Sequence, residues 1–171
     1  MSEALAQSHD DRPNDDRLTE VRLDGEPPGR LTPGLETDLA QAVADLQATD
    51  SLFRPAFAQV TSGPFALRLS VAERRLVFDI RSADDAPLWV VALALGPFRS
   101  LIRDYQMIVD SYADAIAEGR EARIQAIDMG RRGVHNQGAE LMLARLDGKI
   151  TVDFDTARRL FTLVCVLHQR V

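Results

Sequence analysis

Three strand-like segments follow one another in the middle of the chain, joined by short connections, and this run most constrains the fold. Apolar side chains occupy alternate positions over residues 65–71 and again over 76–80. A period of two is typical of a strand with one buried face. The connection between them, Ala72-Glu73-Arg74, is short enough for an antiparallel hairpin. Because a third segment, 88–95, follows after a turn, the sequence predicts a three-stranded antiparallel β-meander.

The third strand differs from the other two because it is apolar at every position from Leu88 to Leu95. Such a strand is typical of the centre of a sheet that is covered on both faces. We therefore predict a central position, since an exposed edge of this composition would be prone to aggregation. A further strand is predicted near the N-terminus, where Thr19, Val21 and Leu23 alternate with charged residues.

Helical patterns flank the strands on both sides. Thr32 and Pro33 suit the N-cap and first position of a helix over about 33–47. The following segment, 49–64, contains prolines and a glycine and is interpreted as a loop. The last helix begins near Asp153 or Asp155 and becomes apolar nearly all round, as expected of a buried helix.

The strongest helical pattern begins at Gly96-Pro97 and ends near Gly119. Its apolar stripe includes Tyr105, Tyr112 and Ile116, which predicts that this face packs against the core. The two tyrosines could instead stack on a ligand, but their place in the stripe favours core packing.

Strands grouped together and flanked by helices indicate the α+β class. With 171 residues and 46% hydrophobic content, the chain can bury one substantial core. We predict a single α+β domain over residues 17–171, in which the meander and the N-terminal strand pack with four or five helices. Residues 1–16 are polar and acidic, and they predict a disordered tail that carries most of the formal net charge of −6.

Composition limits the partners and the compartment. The body without its tail is close to neutral and lacks the basic field of a nucleic-acid-binding protein, so we expect no nucleic acid. The longest apolar run, Leu88–Leu95, is far shorter than the roughly 20 residues that cross a bilayer, so we expect no membrane span. The single cysteine, Cys165, and the polar N-terminus favour a cytoplasmic protein. Cys165 itself is interpreted as a small core residue.

The segment Ile127–Gly138 is where chemistry is most expected. If a helix ends at Gly133, that glycine caps it and Asn136 begins a second helix. If the helix continues, Asp128 and Arg132 form an ordinary surface pair one turn apart. The sequence leaves open whether residues 121–147 form one helix or two.

The side chains of this segment predict an anion site. Arg131 and Arg132 can form paired hydrogen bonds with a phosphate or carboxylate, and Asn136 marks a possible helix N-terminus. Arg158 and Arg159 lie at the start of the buried last helix and could reach the same place. The first hypothesis is therefore a binding or regulatory module for a small anion or an acidic protein partner. Its ligand-binding residues are Asp128, Arg131, Arg132, His135, Asn136, Arg158 and Arg159.

Two alternatives to the binding module remain open. In one alternative, His135 is a general acid or base in a small hydrolase or transferase. No nucleophile elbow, phosphate loop or dinucleotide fingerprint accompanies it, and His9 and His168 give no zinc spacing, so we expect neither cofactor nor metal. In the second, the segment only caps helices and the protein has a structural or protein-interaction role of open oligomeric state.

Three long strings carry a family resemblance: Glu73–Arg81, Ala126–Asn136 and Val152–Leu163. They closely resemble the uncharacterised protein family 0262 of bacteria. The likeness covers about Arg17 to Val171, and the acidic tail lies outside the usual pattern. The resemblance implies no activity, cofactor or catalytic residue that could be assigned to this chain.

Overall fold

The structure is a computed structural model of the chain. The residues it describes are 15–25, 31, 33–48, 50–57 and 62–168. Its strands are β1 (Leu18–Leu23), β2 (Phe53–Pro55), β3 (Phe65–Ala72), β4 (Arg75–Ser82), β5 (Pro87–Ala94) and β6 (Ile150–Val152). Its helices are α1 (Pro33–Leu46), α2 (Arg99–Glu118), α3 (Glu121–Leu146) and α4 (Phe154–His168). The α+β class predicted from the sequence is confirmed.

The main sheet has four strands in the order β1-β3-β4-β5. The predicted antiparallel meander is present as β3, β4 and β5, and β1 adds to it in parallel beside β3. The hairpin between β3 and β4 turns at Glu73 and Arg74, which have φ values of 50° and 61°. Two successive positive φ values are the mark of a two-residue turn that matches the twist of the strands.

The predicted central position of β5 is wrong, because β5 forms an edge of the sheet. Val91 and Leu93 are buried on its inner face, while Val90 on the outer face is 57% exposed. Continuous hydrophobicity therefore did not mean burial on both faces. Ala92 and Ala94, which are also exposed, are small enough to present little apolar surface to water.

A second, two-stranded sheet was not predicted. β2 pairs antiparallel with β6, within the segments interpreted as a loop and as the approach to the last helix. Each strand has three residues, too few to show a period of two, and Pro55 belongs to one of them. The N-terminal part of the described chain also contacts this sheet, because the N–H of Phe53 donates a hydrogen bond to the carbonyl oxygen of Asp16 (2.8 Å).

The predicted tail lies outside the described residues except for Asp15 and Asp16. Asp16 is buried, and its carboxylate is paired with Arg54 at 2.7 Å. Arg17 bonds to Asp15 at 2.6 Å. The packed part of the chain thus begins at least two residues before the predicted start of the domain.

Helix α4 is the centre of the core. Every residue from Leu160 to Leu167 is buried, as its uniform hydrophobicity predicts. Asp153 begins the helix by accepting a hydrogen bond from the N–H of Thr156 (3.3 Å), one of the two caps predicted. Helices α1, α2 and α3 pack against α4. The predicted cap at Thr32 lies outside the described residues.

Helix α2 ends as predicted, with Gly119 in the left-handed conformation at φ 68°. Ile102 and Tyr105 of its apolar stripe are buried. Ile116 was placed in the same buried stripe and is 54% exposed, whereas the neighbouring Ala115 is buried, so the face of α2 that packs at this end is the one that carries Ala115. The prediction is therefore correct for the first half of the stripe and wrong at its end.

Helix α3 is continuous from Glu121 to Leu146, so the interpretation with a break at Gly133 is wrong. Gly133 is exposed, and a methyl group built there would meet nothing within 4 Å. Gly138 has a packing reason instead, because a methyl group there would lie 2.3 Å from the Phe161 ring. A glycine therefore permits the close approach of α3 and α4 at Gly138, five residues beyond the predicted helix end at Gly133.

Candidate functional site

A polar cleft of about 210 Å³ opens where α1, α3 and α4 meet. Ionisable side chains from all three helices line it. They are Asp38 and Asp45 from α1, Arg131 and His135 from α3, and Asp155, Arg158 and Arg159 from α4. Residues that are distant in sequence thus converge on one accessible hollow.

Helical spacing explains which predicted residues reach the cleft. Arg131 and His135 are four residues apart, so they lie one above the other on the face of α3 that meets α1 and α4. Arg132 and Asn136 fall on a different face of α3 and are exposed. Asp128 is also exposed and does not line the cleft.

Four of the seven predicted ligand-binding residues therefore come together: Arg131, His135, Arg158 and Arg159. The other three, Asp128, Arg132 and Asn136, do not contribute. Asn136 cannot cap a second helix, because α3 runs through it. Asp128 and Arg132 are one turn apart, but no ion pair joins them in the described structure.

Sequence reasoning missed Asp38, which organises the cleft. One carboxylate oxygen accepts a hydrogen bond from Arg131 and the other accepts one from the Tyr105 hydroxyl. Asp38 therefore links α1 to both α2 and α3. The sequence does contain a signal, because Asp38 lies between Leu35 and Ala42 at helical spacing on the buried face of α1. An acid in an apolar stripe requires a partner.

His135 forms the inner wall of the cleft and is only 8% exposed. Its ring lies 5.2 Å from that of Tyr105 and meets Phe161 edge-on at 6.2 Å. Nδ1 lies 3.4 Å from the hydroxyl oxygen of Thr162. Among the described residues, Nε2 has no hydrogen-bond partner, and it has almost no solvent-accessible surface.

The hydroxyl of Thr162 has two hydrogen-bond partners, the carbonyl oxygen of Arg158 at 3.3 Å and Nδ1 of His135 at 3.4 Å. If the hydroxyl donates to the carbonyl oxygen, Nδ1 carries the ring proton and donates to Oγ1; if it donates to Nδ1, the ring proton is on Nε2. In both tautomers Nε2 is enclosed by protein.

Electrostatics keep His135 neutral. Burial is the largest cause that lowers its pKa, and together with the positive charges of Arg131 and Arg158 it brings the pKa to about 4, against an opposing effect of Asp38. Burial and the Asp38 carboxylate raise the pKa of the Tyr105 hydroxyl well above its usual range. The inner wall of the cleft is therefore uncharged at neutral pH.

The alternative hypothesis of His135 as a general acid or base finds no geometric support. A catalytic base must come within hydrogen-bond reach of a substrate proton. Nδ1 is engaged by Thr162, and Nε2 is enclosed. Cys165 is buried in α4 and its pKa is raised by desolvation, which is the opposite of what a reactive thiolate needs.

The three arginines of the cleft differ in their partners. Arg131 is paired with Asp38, and Arg159 lies 3.6 Å from the carboxylate of Asp45. Arg158 is half-buried and has no ion-pair partner within the described part of the chain.

No cluster of three or more His, Cys, Asp or Glu side chains suited to a metal ion occurs among the described residues.

Comparison with known proteins gives the family. A family model described as "Uncharacterised protein family (UPF0262)" matches residues 15–170. The chain belongs to this family. A UPF0262 protein of Granulibacter bethesdensis is 62% identical over 160 residues, covering 91% of each chain. One of Acidiphilium cryptum is 60% identical and covers 90% of this chain and 93% of its own length.

More distant members have the same extent. A UPF0262 protein of Rhodospirillum rubrum is 49% identical over 155 residues, which is 91% of this chain and 94% of that protein. No solved structure matches the chain. Within the described residues, no helix combines the length and the hydrophobicity needed to cross a bilayer. The family name carries no activity, so function has to be argued from the cleft.

Proposed function

We propose that this UPF0262 protein is a binding module that holds a small anionic group, a carboxylate or a singly charged phosphate ester, in the cleft between α1, α3 and α4. The observation that carries the proposal is Arg158. This residue is half-buried, lines an accessible hollow and lacks an ion-pair partner in the described structure. A cation held in this way is most stable when an anion neutralises it.

The surroundings of Arg158 support an anion. After burial, its positive charge and that of Arg131 are the next causes that lower the pKa of His135, so both cations act on this wall of the cleft. His135 remains neutral, so it adds no charge of its own to the cleft. Guanidinium groups also bind carboxylate and phosphate oxygens through paired hydrogen bonds, which gives direction as well as charge.

The acids of the cleft favour a single negative charge on the ligand. Asp38, Asp45 and Asp155 balance the three arginines formally. A doubly charged phosphate would gain from Arg158 but would be repelled by Asp155, which lies one turn before it on α4. A monoanion avoids most of this repulsion.

Binding can be tested by isothermal titration with two monoanions, acetate and dimethyl phosphate, using Arg158→Ala and a matched variant, Arg132→Ala. Arg132 is an exposed arginine on α3 that does not line the cleft. We expect saturable binding that Arg158→Ala weakens at least tenfold and Arg132→Ala leaves unchanged. Equal loss in both variants would indicate nonspecific attraction, and no binding to the unmodified protein would contradict the proposal.

A further inference from the structure

A second cavity, of about 550 Å³, adjoins the polar cleft between α1 and α2. We call it the apolar groove. Its walls are mainly hydrocarbon, and Thr37, Asp38, Asp110 and Arg131 add polar groups. The other lining residues are Gly34 on α1 and Ile108, Val109, Tyr112, Ala113 and Ile116 on α2. A groove of this size and lining is typical of sites that enclose the apolar part of a small molecule.

The groove and the cleft share two lining residues, Asp38 and Arg131. The ion pair between them is therefore part of the wall of each cavity. Arg131 lines both cavities, and its positive charge acts on His135 together with that of Arg158. A ligand bound at this wall would have cationic groups at one end and hydrocarbon along the remainder.

We propose that the ligand is an amphipathic monoanion, a carboxylate with an unbranched hydrocarbon chain. This proposal rests on the proposed function. The carboxylate binds at Arg158 and Arg131, and the chain lies in the apolar groove. Charge complementarity fixes the orientation, because the cationic end of the combined site is in the cleft and the opposite end is apolar.

The exposed end of the α2 stripe supports a hydrocarbon occupant. Ile116 continues the apolar face of α2 and is 54% exposed, with Ile108, Val109 and Tyr112 only partly covered. An alkyl chain in the groove would cover these side chains and remove their surface from water. Gly34 keeps the opposite wall low, since it has no side chain to fill the space beside Val109.

The proposal is tested with straight-chain carboxylates from acetate to decanoate, each titrated into the full-length protein below its micellar concentration. We expect affinity to rise about fourfold for each added methylene, equivalent to about 0.8 kcal/mol, until the groove is filled. Arg158→Ala should weaken every member of the series by a similar factor, because all share the carboxylate.

Two tryptophan variants on α2 locate the chain. Ala113→Trp fills the groove without changing charge, and Met107→Trp places the same side chain at an exposed position that lines neither cavity. We expect Ala113→Trp to abolish the dependence on chain length while acetate still binds, and Met107→Trp to leave the whole series unchanged.

The outcomes separate the two proposals. If acetate binds and decanoate binds no more tightly, the inference about the chain is wrong and the anion site stands. If the dependence on chain length persists in Ala113→Trp, the chain lies elsewhere and the inference is also wrong. If no member of the series binds the unmodified protein, both the inference and the proposed function are overturned.

Discussion

The carboxylate of Asp38 and the guanidinium of Arg131 form an ion pair that joins α1 to α3 and lines both the polar cleft and the apolar groove. The pair is largely shielded from water, with 13% of the Asp38 side chain and 31% of the Arg131 side chain exposed. Tyr105 donates a further hydrogen bond to the same carboxylate. The carboxylate of Asp38 on α1 thus bonds to side chains of both α2 and α3 at the site.

Asp38→Asn should destabilise the protein by about 3 kcal/mol, because it leaves the Arg131 guanidinium without its counter-charge in a partly buried place. Equilibrium denaturation in urea measures the effect. Glu36→Gln, an exposed acid on the same helix, is the control and should change stability by less than about 0.5 kcal/mol. Similar small effects in both variants would show that Asp38 does not organise the helices.

His135 should make stability depend on pH between about 6.5 and 4. Its pKa is lowered in the folded protein to about 4, so the unfolded chain binds the proton more readily. The contribution of His135 is complete above pH 6.5 and is lost as the pH falls toward 4, at most about 3 kcal/mol. Carboxylates titrate in the same range, so the unmodified protein is compared with His135→Gln. Identical slopes of unfolding free energy against pH in the two proteins would rule out this contribution.

Two glycines on α3 should respond in opposite directions to alanine. Gly133→Ala should stabilise the protein by about 1 kcal/mol, because the site is open and alanine is the better helix former. Gly138→Ala should destabilise it by about 1–3 kcal/mol, because the new methyl group would overlap the Phe161 ring. Thermal and urea unfolding report both changes. Stabilisation by both substitutions would mean that α3 and α4 are farther apart than the structure has them.

Strand β5 should be a source of self-association on heating. Val90→Lys places a charge on the exposed outer face of this edge strand and should reduce light scattering during thermal unfolding. Its effect on the free energy of unfolding should stay within about 0.5 kcal/mol, since Val90 is exposed. Ala72→Lys, an exposed position on the interior strand β3, is the control. If both lysines reduced scattering equally, net charge and not the strand edge would be responsible.

Local patterns predicted the elements whose burial follows from their own sequence. The alternation in β1, the stripe of α2 up to Tyr105 and the uniform hydrophobicity of α4 were sufficient. The edge position of β5 could not be predicted in this way, because strand order depends on which surfaces the helices cover. The three-residue strands β2 and β6 have too few residues to show a pattern.

The site shows the same division between local and tertiary information. The sequence indicated four residues that converge on the cleft, but its interpretation of Gly133 as a helix end is wrong. Gly133 suggested a helix end, whereas the spacing constraint is at Gly138, where α4 brings Phe161 against α3. Asp38 was missed because its partners, Tyr105 and Arg131, are 67 and 93 positions away.

The most direct test of the anion site is a nuclear magnetic resonance titration of His135 and Arg158 with acetate. Burial is the largest cause of the lowered pKa of His135 and persists when an anion binds, but an anion at Arg158 and Arg131 offsets the two positive charges that add to it. We therefore expect saturable shifts of the Arg158 side-chain resonances and a pKa of His135 that rises above its value of about 4 in the free protein. Unchanged Arg158 resonances and an unchanged His135 pKa at saturating acetate would contradict the account.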